Sequence, residues 1–159
     1  MSTTPIDARG PQLNAALTSL LLVLALATAT TPVGVALLAL QAALFLTAVV
    51  LGVQRTPAAW LFRHVVRPRL GPAQRWEDPR PPRFAQGIGL AFALTGLAGF
   101  VLGPAWLGYA ATGLALVAAV LNATLQICLG CRIYGICHLP QDTFTTQENI
   151  TTDTKEVAA

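Results

Sequence analysis

From Gly10 to Gln54, and again from Phe84 to Gly130, the chain carries no Asp, Glu, Lys or Arg. Each uncharged tract is about 45 residues long, roughly twice the ~20 residues that a helix needs to cross a bilayer. Each tract is therefore expected to hold two spans and a turn. The turns are marked by Pro32 in "ATATTPVG" and by Gly103 and Pro104 in "LGPAW", where Trp106 suits an interfacial position. The expected spans are 12–30, 33–53, 84–102 and 105–127. They must be helices, because an unpaired strand or loop leaves its backbone unsatisfied in lipid. The expected fold class is an all-α membrane protein of four transmembrane helices. Composition agrees, with 54% hydrophobic and only 11% charged residues and a mean hydropathy of +0.60.

The arginines set the orientation. Arg55, Arg63, Arg67, Arg69, Arg75, Arg80 and Arg83 fall in the central loop, 54–83, Arg9 precedes the first span, and Arg132 follows the fourth. The two short turns have no charge. The positive-inside rule then places the loop and both termini (1–11 and the tail) in the cytoplasm of a multi-pass plasma-membrane protein. The tail, 139–159, is polar and without apolar periodicity, so it is expected to be disordered.

Two segments repeat. Asp7-Ala8-Arg9-Gly10-Pro11-Gln12-Leu13 and Asp78-Pro79-Arg80-Pro81-Pro82-Arg83-Phe84 share D-x-R-x-P-x-apolar at an offset of 71, and Pro32 and Pro104 follow at 72. Both halves then read as hairpins that enter from one side, turn at a proline and return, which makes them parallel copies related by an axis along the membrane normal. The repeat also argues against reading Arg9 and the following apolar run as a cleaved signal peptide.

Small residues suggest how the helices pack. Gly89, Gly96 and Gly103 recur every seven residues, with Ala93 and Gly99 nearby, and Gly108, Ala111, Ala115, Ala118 and Asn122 form a stripe in the fourth span. Such stripes allow close helix approach in lipid and would serve a bundle or a homo-oligomer. Gln41, Asn122 and Gln126 are the clearest polar groups inside the tracts, suited to interhelical hydrogen bonds or to a polar ligand. With no charged residue inside the spans, a proton relay or ion pathway has no evident carrier.

In the loop, Ala58–Val66 is apolar and flanked by arginines, and is expected to form a short amphipathic helix in the headgroup layer. Residues 67–83 read as too proline-rich for a helix. The arginines are assigned to lipid and topology; no nucleic-acid role is expected. Asp7 and Asp78 stand just before spans one and three, where a carboxylate is favoured by the helix dipole and Pro11 and Pro82 suit a first turn. Arg9, Arg80 and Arg83, beside the same two helix starts, could also hold an anion or an acidic partner surface.

All three cysteines lie in "QICLGCRIYGICH". Cys128 and Cys131 form a C-x-x-C that can close a disulfide, exchange with a thioredoxin-like partner or carry a persulfide. A helix C-terminus disfavours a thiolate, and Arg132 would partly offset that. With Cys137 and His138 the spacing is C-x2-C-x5-C-H, but adjacent Cys-His is awkward for tetrahedral closure and no second paired motif exists, so no metal is expected. A third reading is that the cysteines are small packing residues in a reducing compartment.

The segments "FRHVVRPRLGP", "EDPRPPRFAQGIGLAFAL" and "LNATLQICLGCRIY" resemble the bacterial membrane family catalogued as domain of unknown function 4395, from Asp7 to Tyr134. The most specific parts are D-x-R-x-P-R-F (Asp78, Arg80, Pro82, Arg83, Phe84) and C-L-G-C (Cys128, Leu129, Gly130, Cys131). The resemblance implies thiol redox or sulfur metabolism, because members are often encoded beside thioredoxin-like and sulfurtransferase proteins. It implies no particular cofactor. The expected function is therefore presentation of the Cys128/Cys131 dithiol to such a partner, with Arg132 tuning a thiol. The alternatives are a non-catalytic membrane scaffold or anchor, and a transporter of a small sulfur compound.

Overall fold

The computed structural model describes residues 6–7, 9–70, 76–125, 128 and 132–133. Four helices are long and apolar enough to cross a membrane: α1 (Arg9–Ala27), α2 (Pro32–Leu51), α5 (Arg80–Val101) and α6 (Ala105–Leu125). Between α2 and α5 lie a 3₁₀ turn (Val53–Arg55), α3 (Pro57–Leu61), a π-helical turn (Phe62–Val66) and α4 (Arg67–Leu70). The disordered tail expected at 139–159 lies outside the described residues.

Both hairpins start at the same end. Immediately before α1 and α5, Ile6–Asp7 and Trp76–Glu77 pair antiparallel, Ile6 with Glu77 and Asp7 with Trp76. At the repeat offset of 71, Ile6 is paired with its own counterpart, and the pairing reads the same from either copy. That is the register of a pseudo-two-fold axis. The bundle obeys it too: α1 packs on α2 and α6, and α5 packs on α2 and α6, so each helix touches its hairpin partner and one helix of the other hairpin.

The core is built from small and aliphatic residues. Leu22, Ala25, Leu38, Ala42, Phe45, Ala93 and Ala115 form one buried cluster. Gly99 lies directly against the backbone of Leu107 and Gly108, leaving no space for a Cβ. At Gly96 a Cβ would stand 2.6 Å from Thr112 Oγ1, and at Gly89 2.8 Å from the Phe45 ring. The seam differs in part from the expected stripe. Gly103 is exposed and beyond the contact, while Thr112 and Ala119 are buried where Ala118 and Asn122 are only half-buried. Gly103 lies past the end of α5 at Val101, and along α6 a strict repeat of seven drifts by ~20° per heptad against 3.6 residues per turn, which moves the buried face from Ala118 to Ala119.

The outward surface is apolar on all four helices, including Leu20, Val23, Leu40, Leu46, Leu94, Val101, Leu114 and Val117. Trp106 and Leu102 are exposed near the charge-free turn.

Two boundaries correct the sequence expectation. α5 starts at Arg80, because Pro81 and Pro82 occupy its first turn, where a missing N–H is harmless. The loop helix runs on through Pro68 to Leu70. Pro68 has no N–H to return to His64, and the Arg67 N–H reaches back five residues to the Phe62 carbonyl, so a π turn absorbs the proline. In that segment Phe62 is buried while Trp60 and Val65 point outward.

Candidate functional site

The repeated D-x-R motif does the same local job twice. Asp7 Oδ1 accepts a hydrogen bond from the Arg9 backbone N–H at 3.1 Å, and Asp78 Oδ1 accepts one from the Arg80 N–H at 2.8 Å. Each carboxylate satisfies a donor left orphaned at a helix start and meets the positive end of the dipole. The environments differ. Asp78 is exposed, whereas Asp7 is 9% exposed and its Oδ2 has no hydrogen-bond partner among the described residues.

The loop after α2 returns over the start of α1, next to Asp7, with which it lines one cavity. Gly52, at φ +92°, turns the chain out of α2 in a conformation that favours glycine. Thr56 then caps α3, accepting from the Ala59 N–H at 3.2 Å and donating to the Val53 carbonyl at 3.1 Å. The helix so started packs on α1. It brings the Phe62 ring within 3.7 Å of where a Gly10 Cβ would stand, so the loop covers the start of α1.

Beneath that cover is a cavity of about 230 Å³. The start of α1 lines it with Gly10, Pro11 and Asn14, and α5 adds Pro82 and Gln86. Ala48 of α2, the segment from Val53 to Thr56, and Ala59, Phe62, Arg63 and Arg67 complete it with Ile6 and Asp7. Its walls are largely apolar, its polar groups converge from several segments, and such a combination is what small-molecule sites share. Asn14 and Gln86 were absent from the sequence-expected site residues. Their signal was an uncharged polar residue one turn inside each hairpin's first helix.

The arginines at the helix starts separate. Arg83 donates from Nε to the Val49 carbonyl at 2.7 Å and from Nη2 to the Val50 carbonyl at 3.2 Å, so it caps the C-terminal end of α2, where a cation is favoured. Arg80 is exposed beside it, along a shallow groove with Val49, Phe84, Gly87 and Ile88. Arg9 is half-buried. Neither Arg80 nor Arg83 lines the cavity under Phe62.

Of the polar residues inside the tracts, Gln41 is 2% exposed and its Nε2 donates to Thr18 Oγ1 at 3.4 Å, a long bond joining α2 to α1. Its Oε1 is buried without a partner among the described residues, as is Thr112 Oγ1. Asn122 is half-buried on α6, and Gln126 lies outside the described residues.

Cys128 stands three residues past α6, half-buried, and its carbonyl accepts from the Arg132 N–H at 3.0 Å. The Arg132 side chain is exposed. Cys131, Cys137 and His138 lie outside the described residues. Because α6 returns to the end where α1 and α5 begin, Cys128 shares that end with every described arginine.

Residues 6–138 match the family described as Domain of unknown function (DUF4395). The chain belongs to the DUF4395 family. No curated protein and no solved structure matches it. The DUF4395 match spans both D-x-R-x-P helix starts, the covering loop and the C-L-G-C motif, and so includes the cavity and Cys128 alike.

Proposed function

We propose that this DUF4395 protein is a multi-pass integral protein of the plasma membrane, with both termini in the cytoplasm, that presents the Cys128/Cys131 dithiol to a soluble thioredoxin-like or sulfurtransferase partner. The observation that carries the reading is that Cys128 leaves α6 at the arginine-bearing end of a bundle whose outer faces are apolar. Apolar faces on all four helices suit lipid, and the arginines mark the end that stays inside.

In this reading one cysteine thiolate attacks a partner disulfide, forming a mixed disulfide and releasing the partner's other sulfur as a thiolate; the second cysteine then attacks that mixed disulfide, so that the partner leaves as a dithiol and the pair is oxidised to a disulfide. With a partner persulfide, attack on the outer sulfur frees the partner's thiolate and leaves a persulfide on one cysteine, from which the second cysteine displaces hydrosulfide as the pair closes. Arg132, the next residue after Cys131, favours the attacking thiolate. The test is to trap that mixed disulfide in native membranes with Cys128→Ser and Cys131→Ser variants. One variant is expected to hold a partner covalently. If neither does, and both support growth like wild type, the dithiol reading fails and a scaffold role replaces it.

A further inference from the structure

We propose that the cavity under Phe62 binds a small extended zwitterion, with the ligand's ammonium on Asp7 and its acid group on Arg63 and Arg67. The inference rests on the cavity and is independent of the cysteines.

Three observations carry it. First, Asp7 is nine-tenths buried, lines the cavity, and has one carboxylate oxygen without a donor among the described residues. Buried charges are as a rule paired, and capping α1 occupies only Oδ1. The counterpart Asp78 makes the same cap while exposed, so burial of Asp7 is not required for capping. Second, Arg63 and Arg67 line the same cavity but are exposed. Negative charge therefore sits inside and positive charge at the mouth, with apolar wall from Ala48, Phe62 and Pro82. A plain cation would meet the arginines on entry, and a plain anion would meet Asp7 at the bottom. A molecule with an ammonium at one end, an acid at the other and methylenes between satisfies both. Third, the cavity of about 230 Å³ exceeds the ~150 Å³ that holds a benzene ring and falls short of the ~300 Å³ at which drug-sized sites begin. The ligand is thus of amino-acid size. Asn14 and Gln86, from different hairpins, add amide groups to the wall.

The test uses the full chain in lipid nanodiscs and radiolabelled 5-aminopentanoate, with unlabelled pentanoate and pentylamine as competitors that each lack one charge. Saturable binding is expected, with either competitor weaker by about tenfold or more, the usual consequence of losing a charged hydrogen bond. Asp7→Asn keeps a side-chain oxygen for the cap and is expected to weaken binding to the same degree, while Asp78→Asn leaves it unchanged. The double variant R63Q/R67Q, altered only at exposed side chains, is expected to lose affinity without losing fold. A cavity that holds water only gives no saturable binding to wild type, which overturns the proposal. So does equal competition by pentanoate, wild-type affinity in Asp7→Asn or in R63Q/R67Q, or loss in Asp78→Asn equal to that in Asp7→Asn.

Discussion

Asp7 and Asp78 make the same hydrogen bond to the backbone two residues on, yet Asp7 is buried and Asp78 is exposed. The copies share a motif and a capping geometry, and differ in what the chain after α2 lays over one of them.

Capping is the term that Asp78 isolates. Asp78→Ala is expected to destabilise the bundle by about 1 kcal/mol, and Asp78→Asn by a few tenths at most, because Asn caps almost as well. Unfolding of the purified protein in mixed micelles, followed by circular dichroism, reads the difference. Equal losses for Ala and Asn would mean that the carboxylate's charge, and not its hydrogen bond, supports α5.

Gly99 and Gly113 offer a matched pair of substitutions. Gly99 leaves no room for a Cβ against the α6 backbone, whereas nothing lies within 4 Å of a Cβ at Gly113. Gly99→Ala should cost about 1–3 kcal/mol by forcing α5 from α6. Gly113→Ala should stabilise by roughly 0.5–1 kcal/mol through helix propensity. The same unfolding assay checks both, and opposite signs are the expected result.

Arg83 spans two carbonyls with one planar group. Arg83→Gln should fray the end of α2, seen as faster hydrogen exchange for amides from Val49 to Thr56, with α5 protected as before. Arg83→Lys should recover part of that protection, since an ammonium keeps the charge but cannot reproduce the two-pronged geometry.

Phe62 is 5% exposed and packs over Gly10. Phe62→Ala is expected to cost about 3 kcal/mol or more and to make the loop from Pro57 to Leu70 accessible to protease. Intact wild-type loop and cleaved variant loop, under matched digestion, is the predicted contrast.

Orientation can be read by labelling single cysteines placed in a cysteine-free background. A cysteine at Leu102, 86% exposed in the charge-free turn, should react with a membrane-impermeant maleimide in intact cells. One at Arg67 should react only after permeabilisation. Reversal of that pattern would place the arginine-bearing end outside.

The spans were legible because exclusion of charge from lipid writes itself into composition, and no packing detail is needed to see it. Their starts were less so: Arg80 to Arg83 reads as proline-rich loop, although prolines in a first turn are compatible with helix. The hairpin repeat was visible in D-x-R-x-P, and the motif's capping role followed from helix physics. The cavity was not legible. It is formed by Asp7, Asn14, Thr56, Phe62, Arg63 and Gln86, which come from separated segments and meet only because the chain after α2 folds back on α1. Nor could sequence alone distinguish Arg83, held on the α2 carbonyls, from its exposed neighbour Arg80. Phe62 and Trp60 both lie in the segment expected in the headgroup layer, yet two residues of helix set them on opposite faces, and Phe62 is the buried one.

Ile6 facing Glu77, its own counterpart, is the pairing that a two-fold axis between the two hairpins produces. A hairpin that assembles with itself must carry the same sequence after both second helices, so anything that shields one helix start shields the other. Two hairpins within one chain are free of that constraint. Here the stretch after α2 lies over the start of α1 and lines one cavity with Asp7, and the stretch after α6 carries the cysteines. The same end of the hairpin thus has different surroundings in its two copies, one closed over and one left with the cysteines.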